Sequence, residues 1–179
     1  MSSDSRRPRV LTVGAYERDN FGDLLFLLVT ERYLPDFEIV PVAPFAADMT
    51  ALMDREVIAY GDYLADQDAD VIWCVGGQTG ATTRESAFGM SKSAEELAAY
   101  RAAPPKARRA LLDVAYGGAP ILSPYIPNPG AFERNAGAVN VLNSVGLAGV
   151  AGLTGRMREE VVAVLRSACL LYTSDAADE

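Results

Sequence analysis

Short, β-rich apolar runs alternate with helical segments along most of this chain, and this alternation restricts the fold more than any other feature. The clearest run is residues 70–77, DVIWCVGG, an apolar stretch that ends in two glycines and is typical of a buried parallel strand. Strands that alternate with helices form βαβ units. The sequence therefore predicts an α/β fold with a Rossmann-like, doubly wound and mostly parallel sheet. The other predicted strands are residues 9–14, 37–42, 119–126 and 138–142.

The predicted helices lie between these strands. Residues 23–34 carry apolar side chains nearly all round a helix, which predicts burial on more than one side, and Pro35 ends this helix. Ser93 and Glu96 have the spacing of a capping box at the start of a helix over residues 93–103. The remaining predictions are helices at 104–118 and 154–168, helical turns at 49–54 and 62–68, a short helix or loop at 128–137, and a polar loop at 78–92.

The composition excludes several classes of function. The chain has 179 residues, of which 50% are apolar, so it is long enough for one domain or for one lobe of a larger enzyme. The net charge is −8, which leaves no basic field to attract nucleic acid. Histidine is absent, so this chain holds no Ser-His-Asp or Cys-His catalytic group. Cys74 and Cys169 fit neither a disulfide framework nor a metal cluster, and we predict no metal and no cofactor.

The ends of the chain carry their own signals. The polar start, MSSDSRRPRV, lacks the apolar core of a signal peptide, and no segment approaches the roughly 20 apolar residues of a membrane span. We therefore expect a cytoplasmic protein without a membrane span, with a disordered N-terminus at residues 1–8.

The C-terminal segment, CLLYTSDAADE at residues 169–179, closely resembles a translated sequencing adapter. We expect it to be non-native, and the natural protein to continue beyond Ala168 in different sequence. The alternative is a natural, frayed C-terminus. On the first interpretation, residues 9–168 form one Rossmann-like lobe.

Polar residues follow the first predicted strand, at the edge of the sheet where open parallel sheets bind their ligands. Asn20, Gly22 and Asp23 lie at the start of the following helix. One interpretation is structural, since a side-chain oxygen there accepts hydrogen bonds from the free N–H groups of the first turn. The other is functional: Asp23 accepts a proton from a sugar hydroxyl, while Asn20 and main-chain N–H groups hold neighbouring hydroxyls.

A second candidate loop begins with Gly76, Gly77 and Gln78, directly after the clearest strand. Its glycines either let the backbone approach a ligand closely or simply form a tight turn. The loop matches neither G-x-G-x-x-G nor the P-loop pattern, so it does not by itself indicate a nucleotide site. Arg84 is a candidate for binding an anion and Asn143 for binding a hydroxyl. The alternatives are a solvated surface charge for Arg84 and turn hydrogen bonds for Asn143.

Together, GAYERDNFGDLLFLLV at residues 14–29 and DVIWCVGGQTG at residues 70–80 resemble the polysaccharide pyruvyl transferase family. Two further stretches, YIPNPGAFERNAG and NSVGL, lie where that family has its next loops, so the resemblance covers most of residues 9–168. The positions that match the motifs of the family are Asn20, Gly22, Asp23, Gly76 and Gly77.

This resemblance implies a two-lobed, glycosyltransferase-B-like enzyme, of which the chain is the N-terminal lobe. Such enzymes transfer a pyruvyl group from phosphoenolpyruvate to two hydroxyls of a sugar in a cell-surface polysaccharide and form a cyclic ketal. Asp23 is then the base or hydroxyl anchor, and the Gly76–Gly77 turn admits substrate. The basic residues that bind the donor are expected mainly in a C-terminal lobe beyond this chain, which is expected to be inactive alone. The alternatives are a nucleotide-sugar glycosyltransferase of similar architecture and a non-catalytic carbohydrate-binding lobe.

Overall fold

A computed structural model of the protein describes residues 6–172, and within this range seven strands form one sheet. The strands are β1 (Arg9–Val13), β2 (Glu38–Ala43), β3 (Ala47–Asp48), β4 (Glu56–Ala59), β5 (Val71–Val75), β6 (Val139–Asn143) and β7 (Ala168–Tyr172). The helices are α1 (Phe21–Tyr33), α2 (Thr50–Met53), α3 (Tyr60–Asp66), α4 (Arg84–Met90), α5 (Ala94–Ala102), α6 (Pro105–Ala115) and α7 (Gly155–Ser167). Short 3-10 turns lie at Pro129–Ala131, Glu133–Asn135 and Val150–Gly152.

The order of the strands across the sheet is β3-β4-β2-β1-β5-β6-β7. All neighbours are parallel except the short edge strand β3, which is antiparallel to β4. If β3 is left out and the six parallel strands are renumbered 1 to 6 along the chain, their order across the sheet is 3-2-1-4-5-6. This is the order of doubly wound dinucleotide-binding sheets. The predicted α/β fold with a mostly parallel sheet is confirmed, and the strand order is compatible with a Rossmann-like fold.

Two apolar clusters cover the two faces of this sheet. On one face, residues of α3 and α7, including Leu64 and Val161, pack against Leu11, Ile72 and Leu142. On the other face, α1 contributes a smaller cluster that includes part of β4 and the end of β5. Because the central strand β1 is covered on both faces, four consecutive residues of it are buried, and three of these are apolar.

Helix α1 packs on the sheet with one face only. Leu24 and Leu27 are buried, whereas Leu25, Leu28 and Val29 are 43–44% exposed. The prediction that this helix is buried on more than one side is therefore wrong, since no element within residues 6–172 covers its outer face. Helix α1 carries more apolar side chains than the sheet alone can bury.

Residues 119–126 form an irregular segment with bends and one turn, and the prediction of a strand there is wrong. Two prolines in this segment lack the N–H groups that a strand ladder needs. Its isoleucines are nevertheless buried in the cluster beneath α7. The carboxylate of Glu160 on α7 accepts hydrogen bonds from the backbone N–H groups of Leu122 and Ser123, both at 2.8 Å. These N–H groups therefore donate to a side chain of a distant helix instead of to a neighbouring strand.

The region predicted as a polar loop at residues 78–92 contains the seven-residue helix α4. Thr83 caps it, because its Oγ1 accepts a hydrogen bond from the backbone N–H of Ser86 at 3.1 Å. Ala87 and Phe88 are buried and attach the helix to the core. The helix is too short for its apolar residues to show a period in the sequence.

Strands β3, β4 and β7 lie outside the predicted strands. Strand β7 pairs in parallel with β6 and includes the first residues of the segment 169–179. This pairing does not test the origin of that segment, which stays a prediction. Residues 173–179, and residues 1–5 of the N-terminus predicted to be disordered, lie outside the described residues. In the described part of the N-terminus, Arg6 forms an ion pair of 2.8 Å with Asp70.

The predicted capping box at the start of α5 is confirmed. Ser93 Oγ accepts a hydrogen bond from the backbone N–H of Glu96 at 3.2 Å, and the Glu96 carboxylate accepts one from the backbone N–H of Ser93 at 2.9 Å. The hydrogen bonds from Ser93 hold the pKa of Glu96 below its ordinary value.

Replacement of Ser93 by alanine is expected to lower the free energy of unfolding by about 1 kcal/mol, because a backbone N–H at the helix start loses its partner. The measurement is urea unfolding of the variant and of the parent protein. Thr154→Ala is the matched control, since Thr154 precedes α7 without making a side-chain cap. Equal losses in the two variants would contradict a capping role for Ser93.

None of the helices within residues 6–172 combines the length and the apolar character that crossing a membrane requires.

Candidate functional site

The strand order reverses between β1 and β5, and loops leave the carboxyl ends of these adjacent strands. Ligands of open α/β sheets bind in the crevice at such a point. The β1–α1 loop ends at Asn20, Asp23 lies in the first turn of α1, and the loop after β5 begins at Gly76. A Cβ atom at Gly76 would lie 3.9 Å from Asp23 Oδ1, so the two loops meet at this carboxylate.

Asn20 and Asp23 form the start of helix α1. Asn20 is the N-cap, and its Oδ1 accepts a hydrogen bond from the backbone N–H of Gly22 at 3.2 Å. The Asn20 amide also donates to Asp23 Oδ2 at 2.8 Å. The side chain of Asp23 is only 10% exposed, and its negative charge is favoured in the first turn by the helix dipole. The structural interpretation of this motif is confirmed, and the same contacts hold the carboxylate rigidly at the crevice.

Arg18 is a third member of this cluster, and its role was not apparent from the sequence. Its Nη2 donates to Asp23 Oδ2 at 3.0 Å. Its Nη1 points to the sulfur of Met90 at the end of α4, at 3.3 Å. The only signal in the sequence was a basic residue in the loop that leads to Asp23. Asp23 Oδ2 therefore accepts from both Arg18 and Asn20, whereas Oδ1 is the oxygen near Gly76.

The turn after β5 depends on glycine at Gly76, whose φ of +121° lies in a region that L-residues rarely adopt. The carbonyl oxygen of Gly77 accepts hydrogen bonds from the backbone N–H groups of Thr79 and Gly146, at 2.8 and 2.9 Å. No described atom lies within 4 Å of a Cβ built on Gly77. Two hydrogen bonds to its carbonyl oxygen thus hold the backbone at Gly77, while the position that a side chain would occupy is open.

The side chains of Gln78 and Arg84 contact parts of the chain other than Asp23 and Gly76. Gln78 Oε1 accepts a hydrogen bond from the backbone N–H of Ala148 at 3.2 Å, which ties the loop after β5 to the loop after β6. Arg84 donates to the carbonyl oxygen of Leu112 at 3.0 Å and forms an ion pair with Asp113 at 3.1 Å, both on α6. These contacts give both side chains a structural role, and their binding of substrate stays a prediction.

Asn143 lies in a groove between α1 and the carboxyl ends of β5 and β6. The groove has a volume of about 200 Å³ and is mostly apolar, with Thr30, Asn143 and Ser144 as the polar residues among those that line it. Ser144 donates from Oγ to the neighbouring Asn143 Oδ1 at 3.3 Å, and the binding of a hydroxyl by Asn143 stays a prediction. The residues that line the groove are Gly22, Leu25, Phe26, Val29, Thr30, Val75, Asn143 and Ser144. The structure thus brings Asn143 close to the helix start that carries Asp23.

Glu17 and Tyr125 form a hydrogen-bonded pair beside Arg18. The Tyr125 hydroxyl donates to Glu17 Oε1 at 2.5 Å, and Tyr125 is only 1% exposed. Burial raises the pKa of Glu17 above its ordinary value, and the hydrogen bond from Tyr125 opposes this shift. Burial also raises the pKa of Tyr125, and the neighbouring Glu17 charge adds to the effect. The two residues are 108 positions apart, so no local pattern could have revealed the pair.

Replacement of Glu17 by glutamine is expected to make protein stability less dependent on pH. Because the folded-state pKa is raised above the ordinary value of 4.5, the folded protein retains a proton that the unfolded chain releases first. The free energy of unfolding of the parent protein should therefore fall, relative to Glu17→Gln, as pH rises from 4.5 through the raised pKa. Urea unfolding of both proteins at a series of pH values measures this difference. A difference that stays constant over that range would contradict the assignment.

The acidic residues of the site do not form a ligand set for a metal. Within residues 6–172, no three histidine, cysteine, aspartate or glutamate side chains lie together as metal ligands would. Cys74 is buried in β5, where burial raises the pKa of its thiol. A buried, protonated thiol is a poor nucleophile and a poor ligand.

Comparison of the chain with models of known protein families, with curated proteins and with solved structures gives no match.

Proposed function

We propose that this chain is the N-terminal, glycosyltransferase-B-like lobe of a transferase that moves the pyruvyl group of phosphoenolpyruvate onto two sugar hydroxyls of a cell-surface polysaccharide. One observation carries most of the weight. Asp23, which is hydrogen-bonded to Asn20, lies beside the Gly76 turn at the reversal point of the sheet, although 52 residues separate Asp23 from Gly76 in the sequence. Both residues belong to the motifs that resemble the pyruvyl transferase family.

Asp23 is the proton acceptor or hydroxyl anchor in this proposal. Its Oδ2 accepts hydrogen bonds from Arg18 and Asn20, so the orientation of the carboxylate is fixed. Its Oδ1 lies towards Gly76, where the backbone carries no side chain and a ligand can approach it closely. A sugar hydroxyl that donates to Oδ1 becomes more nucleophilic as its proton moves to the carboxylate.

Asn143 and the groove beside α1 are proposed to accommodate the remainder of the acceptor. The groove begins next to the helix start at Gly22 and has an amide and a hydroxyl side chain at its wall. Such polar groups at the wall of an apolar groove fix the orientation of a ligand. Gln78 ties the loop that contains Gly77 to the loop after β6, and Gln78 and Arg84 are proposed to contact the substrate from the rim of the site.

The second lobe, with most of the basic residues that bind the donor, is proposed to be encoded downstream of residue 168. The reaction is assigned to the cytoplasm and requires neither a metal nor a nucleic acid in this lobe. Protonation of the enol carbon of the donor needs a general acid, which the second lobe is proposed to supply.

The deciding experiment is donor dependence. The gene is extended past Ala168 with its genomic sequence, and the purified protein is incubated with a sugar acceptor and either phosphoenolpyruvate or nucleotide sugars. We expect release of inorganic phosphate only with phosphoenolpyruvate. Consumption of a nucleotide sugar would instead establish a glycosyltransferase, and binding of sugar without turnover of either donor would establish a non-catalytic carbohydrate-binding lobe.

A further inference from the structure

Arg18 is a cation at the candidate site to which the proposed function assigns no ligand. It lies in the loop between β1 and α1, and its side chain is 31% exposed. Nη2 donates to Asp23 Oδ2 at 3.0 Å, and Nη1 donates to the sulfur of Met90 at 3.3 Å. A thioether is a weak acceptor. Within the described part of the chain, one terminal nitrogen of this guanidinium is thus directed at a partner that is easily replaced.

The pairing of Arg18 is also less complete than that of an arginine in a purely structural ion pair. Arg134 directs two nitrogens at the two carboxylate oxygens of Asp68, at 3.1 and 3.3 Å. Arg18 contacts one oxygen of Asp23, and that oxygen also accepts the Asn20 amide at 2.8 Å. Because Asn20 holds the carboxylate independently, the guanidinium can turn to another anion while Asp23 keeps a hydrogen-bond donor.

The charges around Arg18 favour an anion of a single negative charge. Arg18 and Asp23 compensate each other, so the pair offers little excess positive charge to an anion. A dianionic phosphate next to Asp23 would meet stronger repulsion than a carboxylate. The planar guanidinium also matches a carboxylate in bidentate geometry.

We propose that Arg18 binds the carboxylate of phosphoenolpyruvate, so that this lobe contacts the donor as well as the acceptor. This role rests on the proposed function, from which the identity of the donor is taken. In the bound state, both terminal nitrogens of Arg18 donate to the substrate carboxylate and Nη1 leaves the sulfur of Met90. Asp23 keeps the hydrogen bond from Asn20, and the position on Oδ2 that Arg18 vacates becomes available to a sugar hydroxyl.

The test is a titration of the 179-residue chain with three probes: phosphoenolpyruvate, pyruvate and inorganic phosphate. Binding is followed by nuclear magnetic resonance, at the Nε–H signal of Arg18 and the backbone N–H signal of Gly77. We expect phosphoenolpyruvate and pyruvate to shift both signals, and inorganic phosphate at the same concentration to leave them in place. Pyruvate carries only the carboxylate and inorganic phosphate only the phosphate, so the two probes separate the two groups of the donor.

Three variants relate the binding to Arg18. Arg18→Ala is expected to weaken the affinity for phosphoenolpyruvate at least about tenfold, because a charge-assisted bidentate contact is lost. Arg18→Lys is expected to have an intermediate affinity, since it keeps the charge without the planar fork. Arg134→Ala is the matched control, because it removes an arginine from an ion pair at the amino end of β5, and it should bind like the parent protein.

Unchanged affinity in Arg18→Ala, or no binding of phosphoenolpyruvate to the parent chain, would overturn the role of Arg18. Tighter binding of inorganic phosphate than of pyruvate would overturn the assignment to the carboxylate. Thermal unfolding is measured for each variant, and Arg18→Lys decides the matter if Arg18→Ala does not fold. The proposed function fails on a different result, the absence of phosphate release by the extended protein, and binding of phosphoenolpyruvate through Arg18 would still stand in that case.

Discussion

Replacement of Asp23 by asparagine is expected to lower kcat/KM for pyruvyl transfer by about 100-fold or more, the range over which general bases contribute. Asparagine has nearly the same shape but cannot take a proton from a hydroxyl. It also removes the negative charge opposite the Arg18 guanidinium, 3.0 Å away. The measurement is phosphate release from phosphoenolpyruvate with a sugar acceptor, catalysed by the protein extended past Ala168.

The division of this loss between kcat and KM separates the two roles of Asp23. A fall in kcat identifies a base, whereas a rise in KM alone identifies a hydroxyl anchor. Asp68→Asn is the matched control, because Asp68 is also paired with an arginine but is 59% exposed and precedes the amino end of β5. Unchanged turnover in Asp23→Asn would remove Asp23 from the mechanism.

Replacement of Asn135 by alanine is expected to lower the free energy of unfolding by about 2–4 kcal/mol, because it leaves buried polar groups without partners. Asn135 is only 2% exposed and makes three hydrogen bonds to the backbone. Its Oδ1 accepts from the N–H of Ala69 at 2.8 Å, and its Nδ2 donates to the carbonyl oxygens of Leu64 and Gln67 at 3.0 and 3.1 Å. Together these bonds attach a 3-10 turn to the end of α3 and to the entry of β5.

Urea unfolding of the variant measures this loss. Asn128→Ala is the control, since Asn128 is less buried and makes one such bond, to the backbone N–H of Gly130 at 3.0 Å. We expect the control to lose about 1 kcal/mol or less. A loss in Asn135→Ala no larger than that in Asn128→Ala would show that the three bonds do not act together.

Much of the fold could be predicted from local patterns. The strands at β1, β2, β5 and β6, the capping box of α5 and the amphipathic helix α7 are confirmed because each depends on side chains close together in sequence. Residues 119–126 were mistaken for a strand because an apolar run is buried in either case. A strand and this segment differ in the acceptor of their backbone N–H groups, which is here the carboxylate of Glu160 rather than a neighbouring strand. That carboxylate is at least 37 positions away, so the run itself carries no sign of it.

The residues of the candidate site likewise fall into those whose position could be predicted from the sequence and those whose position could not. That Asn20 or Asp23 lies at or near the cap of α1 could be predicted, because capping depends on neighbours within a single turn, and the structure assigns the cap to Asn20. Arg18 could not be predicted as a partner of Asp23, since a loop residue is directed by the surrounding chain, including Met90 of α4. The contacts of Gln78 and Arg84 with Ala148 and α6 were equally hidden.

The sequence by itself determined the α/β class, a helix start close to Asn20 and Asp23, and the absence of histidine chemistry in this chain. These properties depend on composition or on contacts within a few residues, where chain connectivity fixes which groups meet. Only the tertiary structure decided that Gly76 lies beside Asp23 and that Glu17 meets Tyr125. Such contacts arise from the order of the strands, which is set by the packing of both faces of the sheet at once. The crevice at the reversal point between β1 and β5 is therefore a property of the folded chain rather than of any one segment.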